Sequence, residues 1–142
     1  LRVMELVVRL FVLVGLGIQA VVHLRLAPNY QLASPDGIGG GNLFRIESVS
    51  AILAGLYLLL RGSRPAYVLA AAVALGGFAA VVLYRYVDVG SFGPIPAMYE
   101  PIWFFEKNIS AIAEATAGSF ALVGSALAVR VPRHPRRRHV SA

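Results

Sequence analysis

Apolar residues run almost unbroken through four stretches of the chain, at about 6–24, 43–60, 65–84 and 108–129, and polar residues collect between them. Each stretch approaches the roughly 20 helical residues, at about 1.5 Å apiece, that cross a hydrocarbon layer. Period-two alternation is absent, and a barrel of so few strands cannot close, so the spans are predicted to be helices whose backbone groups bond within each segment. Only Arg61, Gly62, Ser63 and Arg64 separate the second span from the third, which makes those two antiparallel neighbours, and Pro65 suits a first helical turn. The predicted fold is an all-α antiparallel bundle of four transmembrane helices over 1–129, followed by a basic tail over 130–142. No repeat relates the two halves.

The loops differ in character. Residues 25–42 hold Pro28, Pro35 and the glycines Gly37, Gly39, Gly40 and Gly41, a composition that argues against helix there. Residues 85–107 hold Pro94, Pro96 and Pro101 among Tyr86, Phe92, Tyr99, Trp103, Phe104 and Phe105, an aromatic content that suits the headgroup level. Asp36, Asp88 and Glu100 read as turn or cap residues, with Glu100 and Pro101 as an expected helix start. Arg9 and the apolar run 10–22 resemble a signal peptide. Gln19, His23 and Arg25 stand where a small-residue cleavage site would be needed, so the first segment is expected to remain as a span.

Charge adds an orientation. Arg2, Arg9, Arg61, Arg64, Arg130, Arg133, Arg136, Arg137 and Arg138 fall on one side, against Arg25, Arg45, Arg85 and Lys107 on the other. The excess of basic residues on the first side predicts cytoplasmic termini for a multi-pass membrane protein. The formal net charge is +6 and mean hydropathy is +0.71. Beside a bilayer, the basic tail at 130–142 is expected to attract anionic lipid, not nucleic acid. The absence of cysteine excludes disulfide frameworks, thiolate metal sites and iron–sulfur clusters.

Polar residues inside the spans carry the candidate chemistry. In the last span Trp103, Lys107, Ser110, Glu114, Ala117, Ala121 and Ser125 share one helical stripe, polar at its outer end and small further in. Small residues let helices approach closely, so this stripe is expected to face the bundle. Glu114 lies seven residues, roughly 10 Å, below Lys107. A charge at that depth costs at least about 2.5 kcal/mol on insertion scales unless it is paired, hydrated or protonated. Gly15, Gln19 and His23 recur every fourth residue in the first span, and Glu47 opens a face continued by Ala51, Ala54 and Leu58 in the second. Arg85 closes the third span. Every span thus delivers a polar group to the same outer third, and the candidate ligand-binding set is Gln19, His23, Glu47, Arg85, Trp103, Lys107, Ser110 and Glu114.

Each residue also has a structural role to weigh. Glu114 can serve as a hydrogen bond or ion pair within the bundle, or as a ligand or proton group. His23 can simply bond a carbonyl or act as a proton-sensitive group. Glu47 and Arg85 are expected to pair with each other or with loop backbone. Trp103, Phe104 and Phe105 are expected as interfacial anchors, and Gly76 and Gly77 as a close-packing pair.

His23, Glu47 and Glu114 form a permissible oxygen and nitrogen donor set for a metal. One membrane-placed histidine cannot supply both ligands of a bis-histidine haem, and the Glu-x-x-His pairs of di-iron bundles do not occur. No nucleophile elbow, H-E-x-x-H or Walker pattern is present, so nothing supports a hydrolytic enzyme and no cofactor is specified.

Met98, Tyr99, Glu100, Pro101, Trp103, Glu106 and Lys107 form a P-x-MYEP-x-W-x-x-EK run leading into the last span. This run resembles one in small four-span membrane proteins of high-GC bacteria, a likeness that covers the last loop and helix and implies no particular activity. The general architecture is similar to that of DoxX-like four-helix membrane proteins in shape. The expected function is that of a membrane binding or accessory subunit whose outer polar site engages a lipid, small ligand or partner protein. Membrane redox or metal handling is an alternative class, and a proton-coupled transporter another. Partners include the bilayer itself and either further copies of the chain or a larger membrane complex.

Overall fold

The computed structural model describes residues 2–130. Four helices follow one another in the chain: α1 (Arg2–Ala33), α2 (Gly40–Leu60), α3 (Arg64–Tyr86) and α4 (Phe105–Arg130). All four are long and apolar enough to cross a membrane, and no strand forms among the described residues. Both ends of the described chain and the short 61–63 link therefore share one face. The 34–39 and 87–104 loops share the other. Most of the expected lipid-contacting tail lies outside the described residues.

Neighbouring helices pack in the order α1, α2, α3, α4 around a square, with α1 touching α4 to close it. Lipid tails are as apolar as leucine, so close packing and polar contacts hold membrane helices together. The buried faces accordingly consist largely of alanine: Ala51 and Ala54 on α2, Ala66, Ala70 and Ala74 on α3, Ala117 and Ala121 on α4. A Cβ on Gly15 would stand 2.7 Å from the Ala117 side chain and 2.9 Å from the Ala113 carbonyl oxygen, so glycine sets the α1–α4 approach. Leu6, Leu10, Val14, Ile18 and Val21 of α1 point outward, as a lipid-facing surface requires. The pairing of α2 with α3 is the loosest of the four.

Two boundaries depart from expectation. The first helix continues through Pro28 to Ala33 and reaches 32 residues, some 48 Å at about 1.5 Å per residue. Its last turns are held from outside: Tyr30 stacks on Phe44 at 4.2 Å, and the Gln31 side-chain oxygen Oε1 accepts from the Asn42 backbone N–H at 3.2 Å. Gly40 and Gly41 belong to α2 instead of the loop. A Cβ on Gly40 would stand 2.8 Å from the Tyr30 carbonyl oxygen, and one on Gly41 2.6 Å from Gln31 Cβ, so these glycines let α2 begin directly against α1. The expected helix start at Glu100 is also corrected, because α4 begins at Phe105 and leaves Glu100 in the loop.

Candidate functional site

The fourfold spacing in α1 buries Gly15, Gln19 and His23 on one face. Gln19 is fully buried, and its amide nitrogen donates to the Glu47 carboxylate on α2 and, at 3.5 Å, lies near the Val73 carbonyl on α3. The backbone carbonyl of Gln19 accepts a 2.8 Å hydrogen bond from His23 Nδ1. A carbonyl only accepts, so Nδ1 carries the proton and Nε2 is the nitrogen left to face the bundle. Nε2 stands 3.8 Å from Glu114 Oε1. Glu114 is 0% exposed; Ser110, one turn earlier on α4, donates to the same oxygen at 3.1 Å.

Helix α3 contributes a missing side chain. A Cβ on Gly77 would lie 2.7 Å from Gln19 Nε2, 2.8 Å from Glu47 Oε1 and 2.9 Å from Glu114 Oε1. Polar tips from α1, α2 and α4 thus crowd one glycine on α3. Two acceptors in this cluster, Gln19 Oε1 and Glu114 Oε2, are buried without a hydrogen-bond partner. Buried polar atoms are seldom left unpaired, because each forfeits its bond to water.

Above the cluster lies a cavity of about 370 Å³ bounded by all four helices and the 87–104 loop. Its walls are mainly apolar, among them Val22, Leu26, Phe44, Val81 and Met98, while His23, Glu47, Gly77 and Ser110 form the polar end. Volume, apolar walls and a few convergent polar groups are the ordinary attributes of a small-molecule site. Ile46, Gly76 and Ala80 line it and are also exposed on the outer surface of α2 and α3. The cavity therefore opens sideways through the loosest helix pair, toward acyl chains.

The second loop forms the roof. Tyr30 donates to the Glu100 carboxylate, the Glu100 amide bonds the Tyr84 carbonyl at 3.0 Å, and Ser34 bonds the Ala97 carbonyl at 2.9 Å. Lys107, 7% exposed, donates to the Glu100 and Ile102 carbonyls at 3.0 and 2.9 Å, with a Glu100 carboxylate oxygen at 4.0 Å. Glu100 is thus a latch between α1, α3 and α4.

Of the residues proposed from sequence, Gln19, His23, Glu47, Ser110 and Glu114 come together, and Lys107 sits one layer above them. Arg85 and Trp103 do not join the site. The Arg85 guanidinium lies 4.7 Å from the Tyr86 ring centre and 5.7 Å from that of Trp103, while Glu47 is turned to Gln19, so the expected Glu47–Arg85 pair does not form. Nor does the metal set of His23, Glu47 and Glu114 assemble: among the described residues no group of three or more such side chains is placed to hold an ion. His23 spends Nδ1 on a backbone carbonyl, and its other nitrogen reaches one carboxylate only distantly.

Tyr30, Phe44, Glu100 and Gly77 were not singled out as site residues from sequence. Tyr30 lay in an expected loop, and Gly77 was read as packing. A further polar cluster lies at the opposite end of the bundle, where Glu5 accepts hydrogen bonds from Arg9 at 2.6 and 2.8 Å and from Tyr67 at 2.6 Å. The Glu5 and Arg9 spacing of four residues was its only sequence signal.

Comparison with known protein families, with characterised proteins and with solved structures returned no match.

Proposed function

We propose that this protein is a membrane-embedded binding protein that holds a small amphipathic ligand, its polar end at Glu47, His23 and Ser110 and its apolar body along Phe44, Val81 and Met98. One observation carries this reading: the cavity of about 370 Å³ joins an apolar chamber to a polar end lined by His23, Glu47 and Ser110. The sideways opening between α2 and α3 favours a ligand drawn from the bilayer. The 9:4 distribution of basic residues supports cytoplasmic termini, with the cavity in the opposite leaflet, and the likeness of the 96–107 run to that of small bacterial membrane proteins is what suggests a bacterial plasma membrane.

Native mass spectrometry of protein extracted with its own membrane lipids tests this. Gly76 lines the cavity, and a Cβ there has nothing within 4 Å, so Gly76→Trp adds bulk at the opening with little backbone conflict. The wild type is expected to carry a bound small molecule that Gly76→Trp lacks. Equal occupancy in both, or none in either, contradicts the proposal.

A second reading has its own observation. Glu114 is fully buried, faces His23 across 3.8 Å and leaves Oε2 unpaired, an arrangement suited to a proton site within the membrane. In that reading, Glu114→Gln abolishes pH-dependent flux in liposomes, and unchanged flux removes Glu114 from the path.

A further inference from the structure

Two acids, Glu47 and Glu114, converge on Gly77 from different helices, and the groups that face them carry little positive charge. On α1 these are the Gln19 amide and the His23 imidazole; on α4, the Ser110 hydroxyl; on α3, a glycine and the Val73 carbonyl. Among the described residues no lysine or arginine forms an ion pair with either acid. The nearby cations are engaged elsewhere: Lys107 by two backbone carbonyls and Glu100, Arg85 by the Tyr86 and Trp103 rings. Among the described residues no fixed cation therefore stands at the polar end, and Glu114 Oε2 has no hydrogen-bond partner.

The cavity above supplies a compatible setting. Tyr30, Phe44, Tyr84 and Phe104 contribute aromatic side chains to its wall, and such rings attract cations through their faces. An anionic headgroup would meet the Glu47 and Glu100 carboxylates on the cavity wall, where the one basic side chain, Lys107, is already held by two backbone carbonyls. Three or more metal-binding side chains do not gather among the described residues.

We infer that the ligand is an organic cation, a protonated amine on an apolar body, whose ammonium group sits at Glu47, at the polar end of the cavity, while the body fills the aromatic chamber. This rests on the binding role proposed above and adds the charge of the ligand. An ammonium offers up to three donors, enough to bond the Glu47 carboxylate and a polar neighbour at the same end of the cavity.

The test compares phenylbutylamine with phenylbutanol, which share an apolar body, by calorimetric titration into nanodiscs of zwitterionic lipid, with empty nanodiscs as blanks. The amine is expected to bind the wild type at least about tenfold more tightly, equivalent to about 1.4 kcal/mol. Glu47→Gln keeps an acceptor for Gln19, so the cluster is preserved while one charge is removed. In that variant the amine preference over the alcohol is expected to fall below about threefold, and Glu114→Gln is expected to reduce the preference in the same direction. Equal binding of the two compounds to the wild type, or a preference that survives in both variants, overturns the cation inference. If the alcohol still binds and Gly76→Trp removes it, the binding role stands and only the charge assignment fails. If neither compound binds the wild type, both are rejected.

Discussion

Replacing Gly77 by alanine places one methyl group where three helices present polar tips. The added carbon would lie 2.7 Å from Gln19 Nε2, 2.8 Å from Glu47 Oε1 and 2.9 Å from Glu114 Oε1, all closer than carbon tolerates. A single flexible tip would swing aside at small cost. Here three are crowded together, with Gln19 bonded to Glu47 and Glu114 to Ser110, so relief requires loss of at least one of these bonds. Hydrogen bonds involving charged groups contribute roughly 1.5–3 kcal/mol. Alanine also favours helix over glycine by up to about 1 kcal/mol, which masks part of that loss. Gly76→Ala supplies the correction, since it carries the same propensity gain and its new carbon has nothing within 4 Å. In equilibrium unfolding in mixed micelles, followed by circular dichroism, Gly77→Ala is expected to be less stable than Gly76→Ala by roughly 1.5–3 kcal/mol. Equal stability of the two variants would refute convergence of Gln19, Glu47 and Glu114 on α3.

Other consequences concern the roof, the far end and the orientation. Tyr30→Phe removes the donor to Glu100 and is expected to destabilise the latch by about 1–2 kcal/mol, read as faster hydrogen exchange across 87–104; unchanged exchange would leave Glu100 without a latching role. Tyr67→Phe removes a bond to Glu5 at the opposite end and is expected to lower stability by about 1 kcal/mol while leaving ligand binding intact. A parallel loss of binding would show that the two ends are coupled. The natural chain has no cysteine, so Ser63→Cys and Ser91→Cys are single labels on opposite faces. An impermeant thiol reagent applied outside intact cells is expected to modify the cysteine at 91 and spare that at 63, and the reverse pattern would invert the proposed orientation.

The helices were legible because crossing a membrane leaves the chain few options. Four apolar runs of adequate length, with no alternation, admit only helices, and the four residues 61–64 between the second and third dictate that α2 and α3 be antiparallel. The shared depth of Gln19, His23, Glu47 and Glu114 was likewise visible in helical spacing, and the structure brings these four together. What escaped was decided by contacts between distant segments. Pro28 and the glycines suggested an irregular loop, yet Tyr30 on Phe44 and Gln31 on Asn42 hold α1 helical to Ala33, and Gly40 and Gly41 serve close approach. Opposite charges suggested a pair between Glu47 and Arg85, but Gln19 already occupies Glu47 and the aromatic rings claim Arg85. The role of Gly77 could not be read locally either, since it is defined by what three other helices place against it.

The most direct measurement is a high-resolution density map of the protein purified with its native lipids. An occupied cavity is predicted, with elongated density running from between Phe44 and Val81 to a polar end within hydrogen-bonding distance of Glu47 or Glu114. A chamber closed by its own side chains, with Glu114 turned out toward the acyl chains, would contradict it.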